Sequence, residues 1–224
     1  MTALSEALRG AIVAAPGWRL YVADFNAIEP RVLFWLAGDI DALDVFRSGR
    51  DIYNDFGTTE LYGRPIDRKV DVLEGVLCKA AILGLGYGMG AKKFVETALA
   101  LGDIVLPEDQ DCLMCGEPTA RHSFRSDHEA YVADGSLMTA AMVVRAYRRK
   151  YWKVVKLWKD QERAAIEAVE TRRPVRAGVV RWHTEREDVA NSFLYCTLPS
   201  GRRLAYPGPR VTREMTPFNP PKEV

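Results

Sequence analysis

The chain has 224 residues, 48% of them hydrophobic and 27% charged, with 17 Gly and 12 Pro. That composition excludes a disordered, collagen-like or low-complexity chain and leaves room for a sizeable core in one or two domains. The longest run without a charged residue, Ala80 to Ala91, is too short to span a bilayer. The N-terminus carries no signal-peptide pattern, and four cysteines make no disulfide framework, so a soluble cytoplasmic protein is expected.

Net charge is +1, but it is unevenly spread. Between Arg145 and Arg176 eleven Lys/Arg stand against four Asp/Glu, a surplus of seven, which leaves about six net negative charges for the rest. A basic stretch beside an acidic body can attract a polyanion such as nucleic acid. A solvated helix face has the same composition.

In chain order, residues 18–25 alternate around Leu20 and Val22 after the Pro16-Gly17 turn and predict a strand ending near Asp24. A helix should follow, burying Ile28, Val32, Leu33 and Leu36 and stopping at Gly38. Asp51 is placed to cap a second helix that carries Tyr53 and Phe56 and ends near Gly63. The next helix is expected from Asp67 into the eighties, weakened or bent by the alternate glycines Gly84, Gly86, Gly88 and Gly90. Residues 91–101 predict a short amphipathic helix, and Pro107 to Asp127 reads as a polar loop. A long helix over 135–170 follows from Val144, Tyr147, Tyr151, Val154 and Trp158, stopped by Arg172-Arg173-Pro174. Strands Ser192–Leu198 and Arg202–Tyr206 then flank Pro199-Ser200-Gly201 as a hairpin, and the tail from Pro207, with five prolines, reads as extended.

Two groups of residues suggest chemistry. Asp24, where a strand feeds a helix, suits either a hard cation such as Mg²⁺ or a helix N-cap. Lys79, Leu83 and Tyr87 fall at i, i+4 and i+8 on one helix face. A cation, an apolar platform and an aromatic in that order can hold a phosphate at one end and a base at the other, although core-and-surface helices carry the same spacing. Cys112-x-x-Cys115 with His122 and His128 offers ligands for Zn²⁺, with Glu117 or Asp127 as further candidates; free thiols and surface histidines fit the same residues. Cys78 and Cys196 lie in apolar settings expected to bury them as inert thiols.

The segment Asp24-Phe25-Asn26-Ala27-Ile28-Glu29-Pro30-Arg31-Val32-Leu33 resembles motif A of the family A (Pol I-like) DNA polymerases, especially phage members, and Trp35 to Asp39 resembles its continuation. Pro30 departs from the usual Leu or Ala at a position early in a helix where Pro is tolerated. Cys78 to Gly90 resembles motif B, in the right order after motif A. The resemblance implies that Asp24, with the Phe25 backbone carbonyl, binds the catalytic Mg²⁺ ions. It implies that Glu29 is a steric gate against a 2′-hydroxyl, which disfavours an RNA-synthesising relative. By the same resemblance Lys79 contacts the triphosphate and can protonate the pyrophosphate, and Tyr87 stands beside the nascent base pair. Tyr53 occupies the place where many relatives have a phosphate-binding His; phage-like members often have Tyr there. The family's arginine four residues before the lysine is absent, its place being taken by Gly75, with Arg68 and Lys69 lying one to two turns upstream. The hairpin around Leu198 to Pro207 resembles the return from fingers to palm, where Arg202 and Arg203 could touch the DNA backbone.

The fold implied is α+β, a mostly helical fingers region joined to part of an antiparallel-sheet palm. Residues 1–45 would be palm with motif A, and 46–135 fingers with motif B and the Cys/His loop at 107–128. Residues 136–224 would be the long helix and hairpin returning to the palm. Motif C, His-Asp-Glu, supplies the second carboxylate for a two-ion centre, yet His122, His128 and His183 are not followed by Asp-Glu. The expectation is therefore a polymerase fragment acting on primer-template DNA and dNTPs, needing a missing C-terminal part that a second polypeptide could carry. Its place would be the cytoplasm, that of the host if phage-encoded, with no membrane partner. The alternative is a non-catalytic DNA-binding remnant or accessory subunit with the same fold.

Overall fold

The computed structural model describes residues 10–106, 138–186 and 192–212. The fold is α+β, as expected: helices carry the first part and a four-stranded antiparallel sheet the last. The helices are α1 (Ile28–Ala37), α2 (Ile40–Arg47), α3 (Ile52–Phe56, continued by a π turn Gly57–Leu61), α4 (Val72–Leu85), α5 (Ala91–Gly102), α6 (Ala140–Lys150) and α7 (Trp152–Thr171). The strands are β1 (Val175–Ala177), β2 (Val180–Arg186), β3 (Ser192–Thr197) and β4 (Arg203–Pro207), in sheet order β1-β2-β3-β4.

Local chemistry sets many of the boundaries. Gly38 ends α1 in the left-handed conformation at φ 64°, donating its N–H to the Phe34 and Trp35 carbonyls. The Asp39 side chain then accepts from Ala42 N at the start of α2. Asp51 caps α3 through Tyr53 N at 2.9 Å and Asn54 N at 3.2 Å. The Pro199-Ser200-Gly201 hairpin forms, pairing Leu194 with Tyr206 and Cys196 with Leu204. Cys78 and Cys196 are buried, and burial pushes the Cys78 thiol up to about 12 and raises that of Cys196.

Four expectations are corrected. Residues 18–25 form no ladder and have no sheet partner, leaving Trp18, Tyr21, Val22 and Phe25 exposed. Alternation can suggest a strand, but only a neighbour's N–H and C=O groups make one. On α1 the buried residues are Pro30 and Phe34, whereas Ile28 and Val32 are exposed. Helix α4 begins at Val72 rather than near Asp67. Asp67 is held in a turn, its N–H donating to Asp71 Oδ2 at 2.9 Å and its carbonyl accepting from Asp71 N at 2.7 Å. The expected single helix over 135–170 is two, broken at Tyr151 (φ −101°, ψ 46°). The buried Tyr151 ring lies 4.7 Å from Phe34 and 6.0 Å from Phe56, so aromatic packing fixes the residue where neither Gly nor Pro marks a break. The loop expected from Pro107 to Asp127 lies outside the described residues.

One apolar core joins the helices, with Phe34, Phe56, Leu77, Phe94, Tyr147 and Val154 among its members. These come from all three of the expected parts of the chain, and α2 runs through residue 45. Helix α7 docks on the sheet through Gln161, which donates to the Ala177 carbonyl at 3.0 Å and accepts from Trp182 Nε1 at 2.8 Å. Much of the basic surplus of α6 and α7 is turned inward or along the helix. Arg149 pairs with Glu60, Lys150 with Asp55, Lys153 with Asp39 and Lys156 with Asp160. Among the described residues no helix is long and apolar enough to cross a membrane.

Candidate active site

The irregular segment leading into α1, the N-terminal turn of α1, the start of α3 and the outer face of α4 meet around a polar pocket of about 340 Å³. Asp24, Phe25, Glu29, Tyr53, Lys79 and Leu83, all singled out from the sequence, line it together. Residues separated by more than fifty positions are thus gathered at one place.

The turn from the lead-in into α1 is made at Ala27, the N-cap position, which sits in the left-handed region at φ 50° and ψ 45°. An alanine there stores roughly 1–2 kcal/mol of backbone strain. The sharp reversal puts Asp24 and Glu29 on the same pocket, and Arg31 Nε secures it by donating to the Asn26 carbonyl at 2.9 Å. Asp24 does not cap the helix: Ala27 holds that position and has no side-chain cap bond. Asp24 is exposed, as is Glu29 in the first turn of α1.

Lys79 is exposed on α4, while Leu77, Cys78, Ala81 and Ile82 around it are buried. Tyr53 is buried on α3. Its phenol is held above the ordinary tyrosine value mainly by burial, with the Asp51 and Glu29 carboxylates adding to the shift and the Arg68 guanidinium opposing it. Tyr87 lies past the end of α4, exposed at the rim of an adjoining apolar cavity of about 610 Å³. Glu29, Leu83 and Trp158 also line that cavity. The chain turns away at Gly88, φ 77°.

Arg202 and Arg203 stand apart from this pocket, at the hairpin. Arg203 pairs with Glu185 at 2.6 Å and covers the Tyr195 ring at 4.6 Å. Cys112, Cys115, His122 and His128, the candidate Zn²⁺ ligands, lie outside the described residues. Among the described residues no three His, Cys, Asp or Glu side chains group to hold a metal ion. The pocket gains one cation not assigned to it from the sequence, Arg68, which shares the lining with Lys79.

Comparison with known proteins finds DNA polymerases. Over 213 residues, 93% of this chain, it is 32% identical to the "DNA polymerase" of Bacillus phage SP02. The chain is homologous to a segment of the family A DNA polymerases. It is also 37% identical over 95 residues to "DNA polymerase I, thermostable" of Thermus aquaticus, and 36% identical over 84 residues to "DNA polymerase I" of Chloroflexus aurantiacus. Those two matches cover 42% and 38% of the chain. It spans 27% of the length of the phage polymerase, 11% of the Thermus enzyme and 9% of the Chloroflexus enzyme. No protein-family model matches it.

Proposed function

We propose that this chain forms the nucleotide-binding face of a template-directed DNA polymerase, which transfers a nucleotide from a dNTP to a primer 3′-hydroxyl. The observation that carries the reading is the pocket shared by Asp24, Glu29 and Lys79, in a chain homologous to DNA polymerases along nearly its whole length. In this reading the first part of the chain, 1–45, belongs to the palm, 46–135 to the fingers and 136–224 to the return toward the palm.

The donor set fits one Mg²⁺, a hard cation content with one or two carboxylates plus phosphate oxygens and water. Asp24 would hold it, with the Phe25 carbonyl beside it. Such an ion supplies charge neutralisation on the phosphates when bound. For two ions the described residues fall one carboxylate short, because only Asp24 and the gate residue Glu29 approach the pocket as acids from the lead-in and α1. A second polypeptide carrying motif C would complete that centre.

This chain's own residues bind and orient. Lys79 places a compact positive charge against the triphosphate and can deliver a proton to the departing pyrophosphate oxygen. Leu83 gives the sugar and base an apolar floor, and Tyr87 offers a ring at the far rim. Glu29 fills the space beside the sugar that a 2′-hydroxyl would need. Base choice then rests with the template.

The test is Mg²⁺-dependent binding of dATP and ATP by the full chain, followed calorimetrically. Expected is preference for dATP, lost in Glu29→Ala and with both affinities weakened in Lys79→Ala. Salt-sensitive DNA binding with no response to nucleotide would refute the reading in favour of a non-catalytic DNA-binding module.

A further inference from the structure

The turn between α3 and α4 brings a second cation to the pocket, and a glycine makes room for it. Residues 67–71 are closed by Val70 N and Asp71 N, which donate to the Asp67 carbonyl at 2.8 and 2.7 Å. Lys69 N donates to Asp67 Oδ1 at 3.0 Å, and Arg68 N donates to Asn54 Oδ1 at 3.1 Å, which fastens the turn to α3. The turn lies directly on α4 at Gly75. A Cβ at position 75 would come 2.4 Å from Arg68 Cβ and 2.8 Å from Arg68 Cα, closer than side chains and backbone can approach. Any larger residue at 75 would lift Arg68 away.

The side chain so placed faces the same 340 Å³ pocket as Lys79. Its Nε pairs with Asp51 Oδ2 at 2.9 Å, and its guanidinium lies over the Tyr53 ring at 5.2 Å. Among the described residues nothing hydrogen-bonds its two terminal nitrogens. The Asp51 pair is half-exposed, with side-chain exposures of 38% and 27%, and pairs of that kind are weak. A guanidinium held by one edge, with its fork free, is suited to bidentate contact with a phosphate.

We propose that Arg68 is the second phosphate-binding cation of this site and that Gly75 is the residue that admits it, so that Arg68 and Lys79 together grip the polyphosphate of a nucleoside triphosphate. The inference rests on the reading of the pocket as a dNTP site. Arg68 comes from the turn, not from α4 itself, and reaches the pocket through the space that Gly75 leaves.

The test is calorimetric binding of inorganic tripolyphosphate, and of dATP with Mg²⁺, to the full chain and its variants. Arg68→Ala should weaken both ligands about tenfold or more, the size of one charge-assisted contact. Arg68→Lys, which keeps the charge and loses the fork, should fall between. Gly75→Ala should weaken both ligands although it removes no donor. If Gly75→Ala unfolds, the exposed Arg68 variants still decide. Unchanged affinity in Arg68→Ala, with Lys79→Ala weakened, would overturn this inference and leave the nucleotide reading standing. No binding of either ligand by the unaltered chain would overturn both.

Discussion

Phe34 is the residue on which the position of α1 depends. It is fully buried, 4.7 Å from the Tyr151 ring and 6.3 Å from that of Phe46, so it ties α1 to the break between α6 and α7. Phe34→Ala removes a whole ring from a closed core and should cost about 3–5 kcal/mol. That is a large share of the roughly 5–15 kcal/mol that holds a domain together. Phe34→Leu keeps most of the volume and loses the ring contacts, and should cost under about 1.5 kcal/mol. Val32→Ala, on the same helix but 45% exposed, should cost less than about 1 kcal/mol, because Ala's better helix propensity offsets part of the lost area. Urea unfolding followed by far-ultraviolet circular dichroism measures all three. The dATP affinity of each variant then shows whether a loosened α1 also misplaces Glu29. Equal costs for Phe34→Ala and Val32→Ala would refute the assignment of Phe34 as the anchor.

Three further outcomes are expected. Ala27→Gly should stabilise the chain by up to about 1 kcal/mol in the same unfolding assay, by relieving the left-handed strain at φ 50°, and Ala27→Val should destabilise it. Tyr151→Phe should be neutral or stabilising by about 1 kcal/mol, because among the described residues the buried Tyr151 hydroxyl has no hydrogen-bond partner; a loss above about 1 kcal/mol would show that the hydroxyl is satisfied. The Asp67 N–H and the Arg64 guanidinium hold the Asp71 carboxyl below the ordinary carboxylate value. A lowered folded value stabilises above the unfolded value of about 4 and is lost as pH falls through the folded one. Acid titration of stability should therefore lose part of its slope below about pH 4 in Asp71→Asn, and an unchanged slope would exclude the linkage.

What could be seen in the sequence was what depends on near neighbours. Gly38 and Asp51 mark a helix end and a helix start because a left-handed C-cap and an Asp N-cap act within one turn. That Asp24, Glu29, Lys79 and Leu83 would meet was implied by the resemblance of their two segments to motifs A and B, not by spacing, and they line one pocket. Contacts between distant residues were not visible. The break at Tyr151 depends on Phe34 and Phe56, more than ninety positions away. Strands β1 and β2 turn at Gly178, φ 60°, and are not among the expected elements, although Val180, Trp182 and Thr184 alternate in the sequence. The role of Gly75 is of the same kind, since an absent side chain says nothing until the residue occupying its space is known.

The four charged groups of the pocket are not held alike. Glu29 and Lys79 stand on α1 and α4, and these helices touch closely: a Cβ on Gly86 would lie 3.0 Å from Leu33 Cδ2. Their separation is fixed by core packing, and packed interiors resist small displacements. Asp24 and Arg68 stand on an irregular lead-in and a tight turn, each secured mainly by hydrogen bonds. On the proposed reading, a nucleotide arriving with its cation would meet a rigid pair that sets where the sugar and triphosphate lie. The other two groups would then adjust to it, Arg68 by exchanging the Asp51 carboxylate for a phosphate and Asp24 by accepting the metal. On the proposed reading, sugar discrimination therefore rests with Glu29 on a packed helix, and Lys79 supplies a fixed charge to which Arg68 and Asp24 adjust.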